Sequence, residues 1–289
     1  MSVKKVSDSI LYVGVDDREI DLFESQYVVP EGVSYNSYVI IDEKIAVLDT
    51  VDKSKTSEWL CNVEEALAGR TPDYVIVSHM EGDHSASLVA LLEKYPNITV
   101  VGNAKTFPMI KNFFGFEDDS HSLVVKEGDV LELGSHRLKF IMAPMIHWPE
   151  VMMSYEESEK VLFSADAFGK FGALNIKESP AEAKKEDWAC EARRYYFNIV
   201  GKYGAPVQAL LKKASALDIQ KICPLHGPVL AEELSYYIEK YDVWSRYEPE
   251  DKGVLIAYSS VYGNTKAAVE TLAECIGSRE KVVLADLAR

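Results

Sequence analysis

The sequence predicts a mixed α/β fold, a sheet sandwich with outer helices, followed by a second, smaller strand–helix–strand unit. Three observations lead there. Short apolar runs broken by turn residues fill the first fifty positions, as in strands and hairpins. Strand and helix patterns then alternate from Tyr74 onward. Finally, a charged stretch holding Pro249 and Gly253 separates the last long helical pattern from a new apolar strand, as an interdomain linker does.

The runs Ile10–Val15, Tyr38–Ile41 and Ile45–Leu48 form an opening β-meander. Tyr74–Val77 precedes a helix near Ser87–Lys94, and Ile98–Val101 precedes another near Lys105–Phe114. Strands are expected at Val130–Leu133, Leu138–Met142, Met152–Tyr155 and Val161–Phe163. Helical patterns return over Pro180–Ile199 and Pro206–Leu217, with a strand near Lys221–Cys223 and a further helix ending near Trp244. The first domain is therefore placed at 1–248 and the second at 253–289. The second begins with the strand Val254–Ala257 and the loop Ser259–Thr265. Val269, Leu272, Ala273 and Ile276 then mark one face of a helix, and Val282–Ala285 is the next strand. No internal repeat or heptad array is present.

With 46 acidic against 31 basic residues, the net charge of −15 opposes binding to nucleic acid or to an anionic membrane surface. A small neutral ligand or a protein partner fits better. Cys61, Cys190, Cys223 and Cys275 are widely separated and form no C-x-x-C pair, so a reducing cytosol is the expected location. No apolar run approaches the roughly 20 residues of a membrane span, and the N-terminus lacks a signal-peptide pattern.

The chemistry concentrates in Ser78-His79-Met80-Glu81-Gly82-Asp83-His84, where four potential ligands follow a strand and precede a helix. A lone histidine is more often a satisfied core or surface residue; four clustered ligand types are not so easily explained. His147, Asp166 and His226 each lie just past the end of a predicted strand, so one rim of the sandwich can collect all seven side chains. His121 and His136 stand beside polar turn residues and are expected to be solvated. Two divalent ions about 3.5–4 Å apart repel one another and need anionic ligands, with one oxygen ligand usually shared. Asp166, arriving alone from its own strand, is the expected bridge. Three carboxylates among the seven favour iron, while zinc stays open.

The H-x-E-x-D-H segment, with His147, Asp166 and His226, resembles the metallo-β-lactamase-like αββα domain of flavodiiron proteins, or A-type flavoproteins. Hydrolases of that fold generally carry H-x-H-x-D-H, so Glu81 stands where they place a second histidine. The resemblance continues through Ser34-Tyr35-Asn36-Ser37-Tyr38, Leu48-Asp49-Thr50-Val51, His147-Trp148-Pro149-Glu150, residues 163–169 and His226-Gly227-Pro228. It implies one iron on His79, Glu81 and His147, another on Asp83, His84 and His226, and Asp166 between them. Family members differ in whether the histidine at position 84 binds directly. Trp148, Tyr195 and Tyr196 are candidates for the immediate surroundings of the metals; for the two tyrosines, core packing is the competing reading.

The loop Ser259-Ser260-Val261-Tyr262-Gly263-Asn264-Thr265 offers hydroxyls, a glycine and backbone amides at a helix N-terminus, which suits a phosphate. It matches neither G-x-x-x-x-G-K-[ST] nor G-x-G-x-x-G. It resembles the FMN phosphate loop of flavodoxins. A flavodoxin-like sheet needs about five parallel strands, so this FMN domain is expected to be incomplete, with roughly 100 further residues to come and FMN held poorly by this chain alone.

The resemblance implies an oxidoreductase that reduces dioxygen to water, nitric oxide to nitrous oxide, or both. It also implies electrons through FMN from rubredoxin or a similar donor and a head-to-tail homodimer. Two irons and one flavin together hold the four electrons that water formation needs. A dinuclear zinc hydrolase and a non-catalytic redox sensor are the alternatives.

Overall fold

The computed structural model describes residues 3–115, 119–174 and 185–288, which fall into two compact units, Met1–Arg246 and Tyr247–Arg289. In the first unit a seven-stranded sheet runs in the order Lys4–Lys5, Ile10–Tyr12, Tyr38–Ile40, Ala46–Leu48, Tyr74–Ile76, Thr99–Gly102 and Ser122–Val124. The first four strands pair antiparallel and the last four pair parallel. A five-stranded sheet runs Val130–Glu132, Arg137–Met142, Met152–Glu156, Val161–Phe163 and Lys221–Cys223, and only its last pair is parallel.

Alternation along the strands creates two interiors. Tyr38, Ile40, Leu48, Ile76 and Val101 from the first sheet pack with Leu138, Phe140, Met152 and Phe163 from the second. The opposite faces, through Val39, Val47, Val75 and Val100 on one side and Met153, Leu162 and Ile222 on the other, pack against helices. This makes the fold four layers, helix–sheet–sheet–helix, and explains why whole strands such as Tyr38–Ile40 and Met152–Glu156 are buried at every position.

The helix Thr56–Leu67 is one the sequence reading did not mark, although Trp59, Asn62, Val63, Ala66 and Leu67 form a buried face at helical spacing. The helix Lys185–Tyr195 continues as a π-turn, Tyr196–Val200; the expected start at Pro180 lies outside the described residues. Gly204–Ala214 carries Pro206 in its first turn, where proline is tolerated. Among the described residues no helix is long and apolar enough to cross a membrane.

His136 corrects one expectation: it is buried, at 6% exposure. Three hairpin turns at the N-terminal ends of Ala46–Leu48, Arg137–Met142 and Val161–Phe163 meet around it. Its Nδ1 bonds Asp42 Oδ2 at 2.7 Å, its Nε2 approaches Glu159 Oε1 at 3.2 Å, and its backbone N–H donates to Asp42 at 2.7 Å. Burial opposes charge on the ring, but Asp42 and Glu159 outweigh it and raise its pKa, while His136 and nearby N–H donors lower that of Asp42 despite its own desolvation. A raised histidine stabilises the fold below its unfolded value of about 6.5 and ceases to as pH rises through the folded value; a lowered carboxyl does so above about 3.9. The ion pair therefore contributes most between roughly pH 4 and 6.5. His136→Gln is expected to cost about 1.5–3 kcal/mol at pH 5.5 and less at pH 9 in urea unfolding; equal losses at both would show that the imidazolium charge is not involved.

The second unit is a single βαβ crossover, with the parallel strands Val254–Tyr258 and Val282–Asp286 and the helix Asn264–Gly277 between them. Leu255, Leu272, Val283 and Leu287 stay exposed on it.

Candidate metal centre

The segment after Tyr74–Ile76 is held from both sides. Asp49, at φ 54°, turns its carboxylate so that Oδ1 accepts the N–H of Ser78 at 2.7 Å and of His79 at 3.3 Å. From the second sheet, Met152 N–H donates to Ser78 O at 3.1 Å. The chain then enters the short helix Gly82–Ser85, whose His84 carbonyl accepts from both the backbone N–H and the hydroxyl of Thr50, each at 2.8 Å. His147, Asp166 and His226 emerge beyond Arg137–Met142, Val161–Phe163 and Lys221–Cys223.

Two groups of convergent ligand atoms result, His79, Glu81, His147 and Asp166 in one, and Asp83, His84 and His226 in the other. In the first, Glu81 Oε2 lies 3.2 Å from His79 Nε2 and 3.0 Å from His147 Nε2. Asp166 Oδ2 lies 3.5 and 3.2 Å from the same two nitrogens. In the second, Asp83 Oδ2 is 3.4 Å from His84 Nε2 and 3.2 Å from His226 Nε2, and those nitrogens are 3.1 Å apart. Asp166 Oδ1 faces this group, 3.1 Å from His84 Nε2 and 3.9 Å from His226 Nε2. One carboxylate thus divides its two oxygens between two clusters.

The chemistry of this donor set suits cations. His79 and His226 each donate Nδ1–H outward, to Glu150 Oε1 at 2.8 Å and to Ser34 O at 2.7 Å, which leaves both Nε2 lone pairs aimed inward. Both Asp83 oxygens and Asp166 Oδ1 are buried and accept no hydrogen bond, an arrangement that is costly unless a cation or proton sits among them. Without metal, that charge falls to protons. Burial opposes it, yet Asp166, Glu150 and Glu81 raise His79, and bonds to Asp166 and Glu81 push His147 to about 9. Asp166, flanked by His84, His147 and His79, is held well below the usual carboxylate range despite its desolvation.

The profile of the family described as ODP family beta lactamase matches residues 33–227. An anaerobic nitric oxide reductase flavorubredoxin from Vibrio vulnificus is 32% identical over 279 residues, covering 94% of this chain and 55% of the relative. The flavodiiron protein from Giardia intestinalis superposes with a TM-score of 0.92 at 30% identity, covering 99% of this chain and 70% of that one. This chain belongs to the flavodiiron protein family. The rubredoxin oxygen:oxidoreductase from Desulfovibrio gigas superposes at 0.89 with 28% identity, covering 98% of this chain and 71% of that one. Against the flavorubredoxin, the chain spans about half the relative's length.

Within this flavodiiron frame the remaining candidates separate. Tyr195 is fully buried with its ring 5.4 Å from that of His226, and its hydroxyl has no hydrogen bond. Burial, then the charges of Asp166, Asp83 and Glu81, push its pKa well up, so it stays a phenol with a proton to donate. Tyr196 instead packs its ring against Tyr241 at 5.0 Å and Trp244 at 5.3 Å, in the helical layer. Trp148 stands edge-on to His79 at 5.3 Å and lines a cavity of about 340 Å³ that reaches Glu81 and His147, with Tyr27 and Phe197 among its other walls.

Glu24, also on that wall, escaped the sequence reading. It sits at the tip of the two-residue-stranded hairpin Leu22–Phe23 and Tyr27–Val28, with Glu24 at φ 49° and Ser25 at φ 57°. Phe23 anchors the hairpin edge-on to His226 at 5.3 Å. Burial, then the neighbouring charge of Glu81, raises the Glu24 carboxyl to about 7. Strands so short leave no periodicity to detect.

In the second unit, Ser260 Oγ accepts the N–H of Gly263 at 3.1 Å and of Lys266 at 3.3 Å, and Gly263 takes φ 89° as the residue before the helix. A side chain at Gly263 would be strained there. Residues 261–265 are exposed, so this helix start faces solvent, with the amides of Gly263 and Lys266 already taken by Ser260.

Proposed function

We propose that this chain carries the diiron-bearing part of a flavodiiron oxidoreductase that reduces dioxygen to water, nitric oxide to nitrous oxide, or both. The observation that carries this reading is Asp166, whose Oδ1 and Oδ2 face two separate His/carboxylate groups at 3.1 and 3.2 Å. His79, Glu81 and His147 would hold one iron, and Asp83, His84 and His226 the other, with Asp166 shared. Two irons bound there supply Lewis acidity and one electron each, and with a two-electron flavin match the four electrons of water formation.

The rest of the work belongs to the chain. Glu81 and Asp166 place negative charge where two cations must lie close together. Trp148, Phe197 and Ile199 give the approach part of an apolar wall, while Glu24, Gln26, Asn198 and Lys202 line the rest of it with polar groups. The Tyr195 hydroxyl offers a proton donor on the His226 side. Residues 1–248 would form the metal domain and 253–289 the start of an FMN domain, its phosphate held by the Ser259–Thr265 loop. The names of the flavorubredoxin and rubredoxin oxygen:oxidoreductase relatives support a rubredoxin-like donor and both gases as substrates. A homodimer in the cytoplasm, with a partner's flavin facing the irons, follows from the same reading.

The test is metal analysis of anaerobically purified protein, followed by consumption of each gas by the full-length, FMN-loaded, reduced enzyme. Two irons per chain and turnover of at least one gas are expected. Stoichiometric zinc without iron would favour the hydrolase, and an iron-loaded protein that consumes neither gas would favour a redox sensor.

A further inference from the structure

The two metal positions have matched ligands: two histidines and one carboxylate each, with Asp166 between them. They differ in what stands behind the histidines. Glu150 is 1% exposed, and its Oε1 accepts both His79 Nδ1–H and the Met80 N–H at 2.8 Å. Its Oε2 has no hydrogen-bond partner, so His79 and Met80 are the donors that its charge serves. The Asn103 side-chain amide holds the Glu150 carbonyl and fixes the backbone here. On the other side, His226 donates Nδ1–H to a neutral acceptor, Ser34 O at 2.7 Å, and His84 Nδ1 is buried without a hydrogen bond.

A carboxylate behind a ligating imidazole makes its inward nitrogen a stronger donor and fixes the ring; a carbonyl does so less, and an unsupported ring least. We infer that Glu150 is a positioning residue that makes the His79–Glu81–His147 position the tighter of the two, so that the centre loads its metals in order, that position first. The inference rests on the two-metal reading of the site.

Anaerobic titration with Co(II), followed by its visible d–d absorption, separates the two. The wild-type protein is expected to take up two equivalents in two resolved steps. Glu150→Gln keeps an oxygen acceptor for His79 and Met80 but removes the charge. It is expected to weaken the first step about 10–100-fold and leave the second within about twofold, whereas Glu150→Asp should restore part of the loss. An unchanged first step, or a loss confined to the second, overturns the inference. So does uptake of two equivalents with a single affinity, although the two-metal reading then stands. Uptake of one equivalent or none ends both. Should Glu150→Gln fail to fold, anomalous diffraction from wild-type crystals loaded with one equivalent decides instead. Density between His79, Glu81 and His147 supports the order, and density at Asp83, His84 and His226 overturns it.

Discussion

Asp166→Asn is expected to release at least one of the two metals and to abolish gas reduction. The carboxylate is 1% exposed and within 3.1–3.9 Å of the inward nitrogens of all four candidate histidine ligands. An amide keeps the shape but offers one oxygen in place of two, and turns an N–H₂ group toward whichever cation faces the other side. It also removes the charge that offsets repulsion between two neighbouring divalent ions. Leaving a buried charge without its partner costs about 3–5 kcal/mol, so the affinity of the more affected position should fall at least roughly 100-fold. Metal content after anaerobic dialysis, read by mass spectrometry, checks this. Retention of two irons with full turnover would show that Asp166 does not bridge.

The convergence of these side chains is readable in the sequence because the candidate ligands are either contiguous or placed at strand ends. His79, Glu81, Asp83 and His84 lie in one loop, and an α/β sandwich brings the residues after Met142, Phe163 and Cys223 to the same rim. What escaped detection depends on tertiary approach. Glu150 reaches His79 across 71 residues and Ser34 reaches His226 across 192, and neither the carboxylate nor the backbone carbonyl carries a local pattern. The same holds for His136. Its polar neighbours in sequence suggested solvent, but the turns carrying Asp42 and Glu159 close over it. Glu24 belongs to strands of two residues, too short for alternation to register. The helix Thr56–Leu67 is the opposite case, a strong 3.6-residue pattern in Trp59, Val63 and Leu67 that went unmarked.

The pair of tyrosines shows how the fold assigns roles that composition leaves open. Tyr195 and Tyr196 are adjacent, aromatic and fully buried. Successive helical positions differ by about 100° in direction, so one ring lies beside His226 and the other enters the cluster of Tyr241 and Trp244. No reading of residue type distinguishes them; the rotation does.

Glu81→His is the second substitution with a large expected effect, because it converts the loop to the H-x-H-x-D-H pattern of the hydrolases. Glu81 Oε2 lies between the inward nitrogens of His79 and His147, at 3.2 and 3.0 Å. An imidazole there leaves two carboxylates among seven ligands and makes the donor set at that position predominantly nitrogen, which lessens the advantage of iron and suits zinc. Two cations would also be less fully neutralised, and the higher oxidation states of iron would suffer most. In protein expressed with equal iron and zinc, the iron-to-zinc ratio is expected to fall at least about tenfold, a change of roughly 1.4 kcal/mol in relative affinity. Gas consumption should fall to background, since zinc has no accessible redox change. Metal ratios and reductive turnover measured on the same preparation separate two effects. Iron retained with turnover lost would mean that Glu81 tunes the bound iron rather than selecting it. Iron retained with full turnover would remove Glu81 from the ligand set, and with it the one position of the H-x-E-x-D-H segment that departs from the hydrolase pattern.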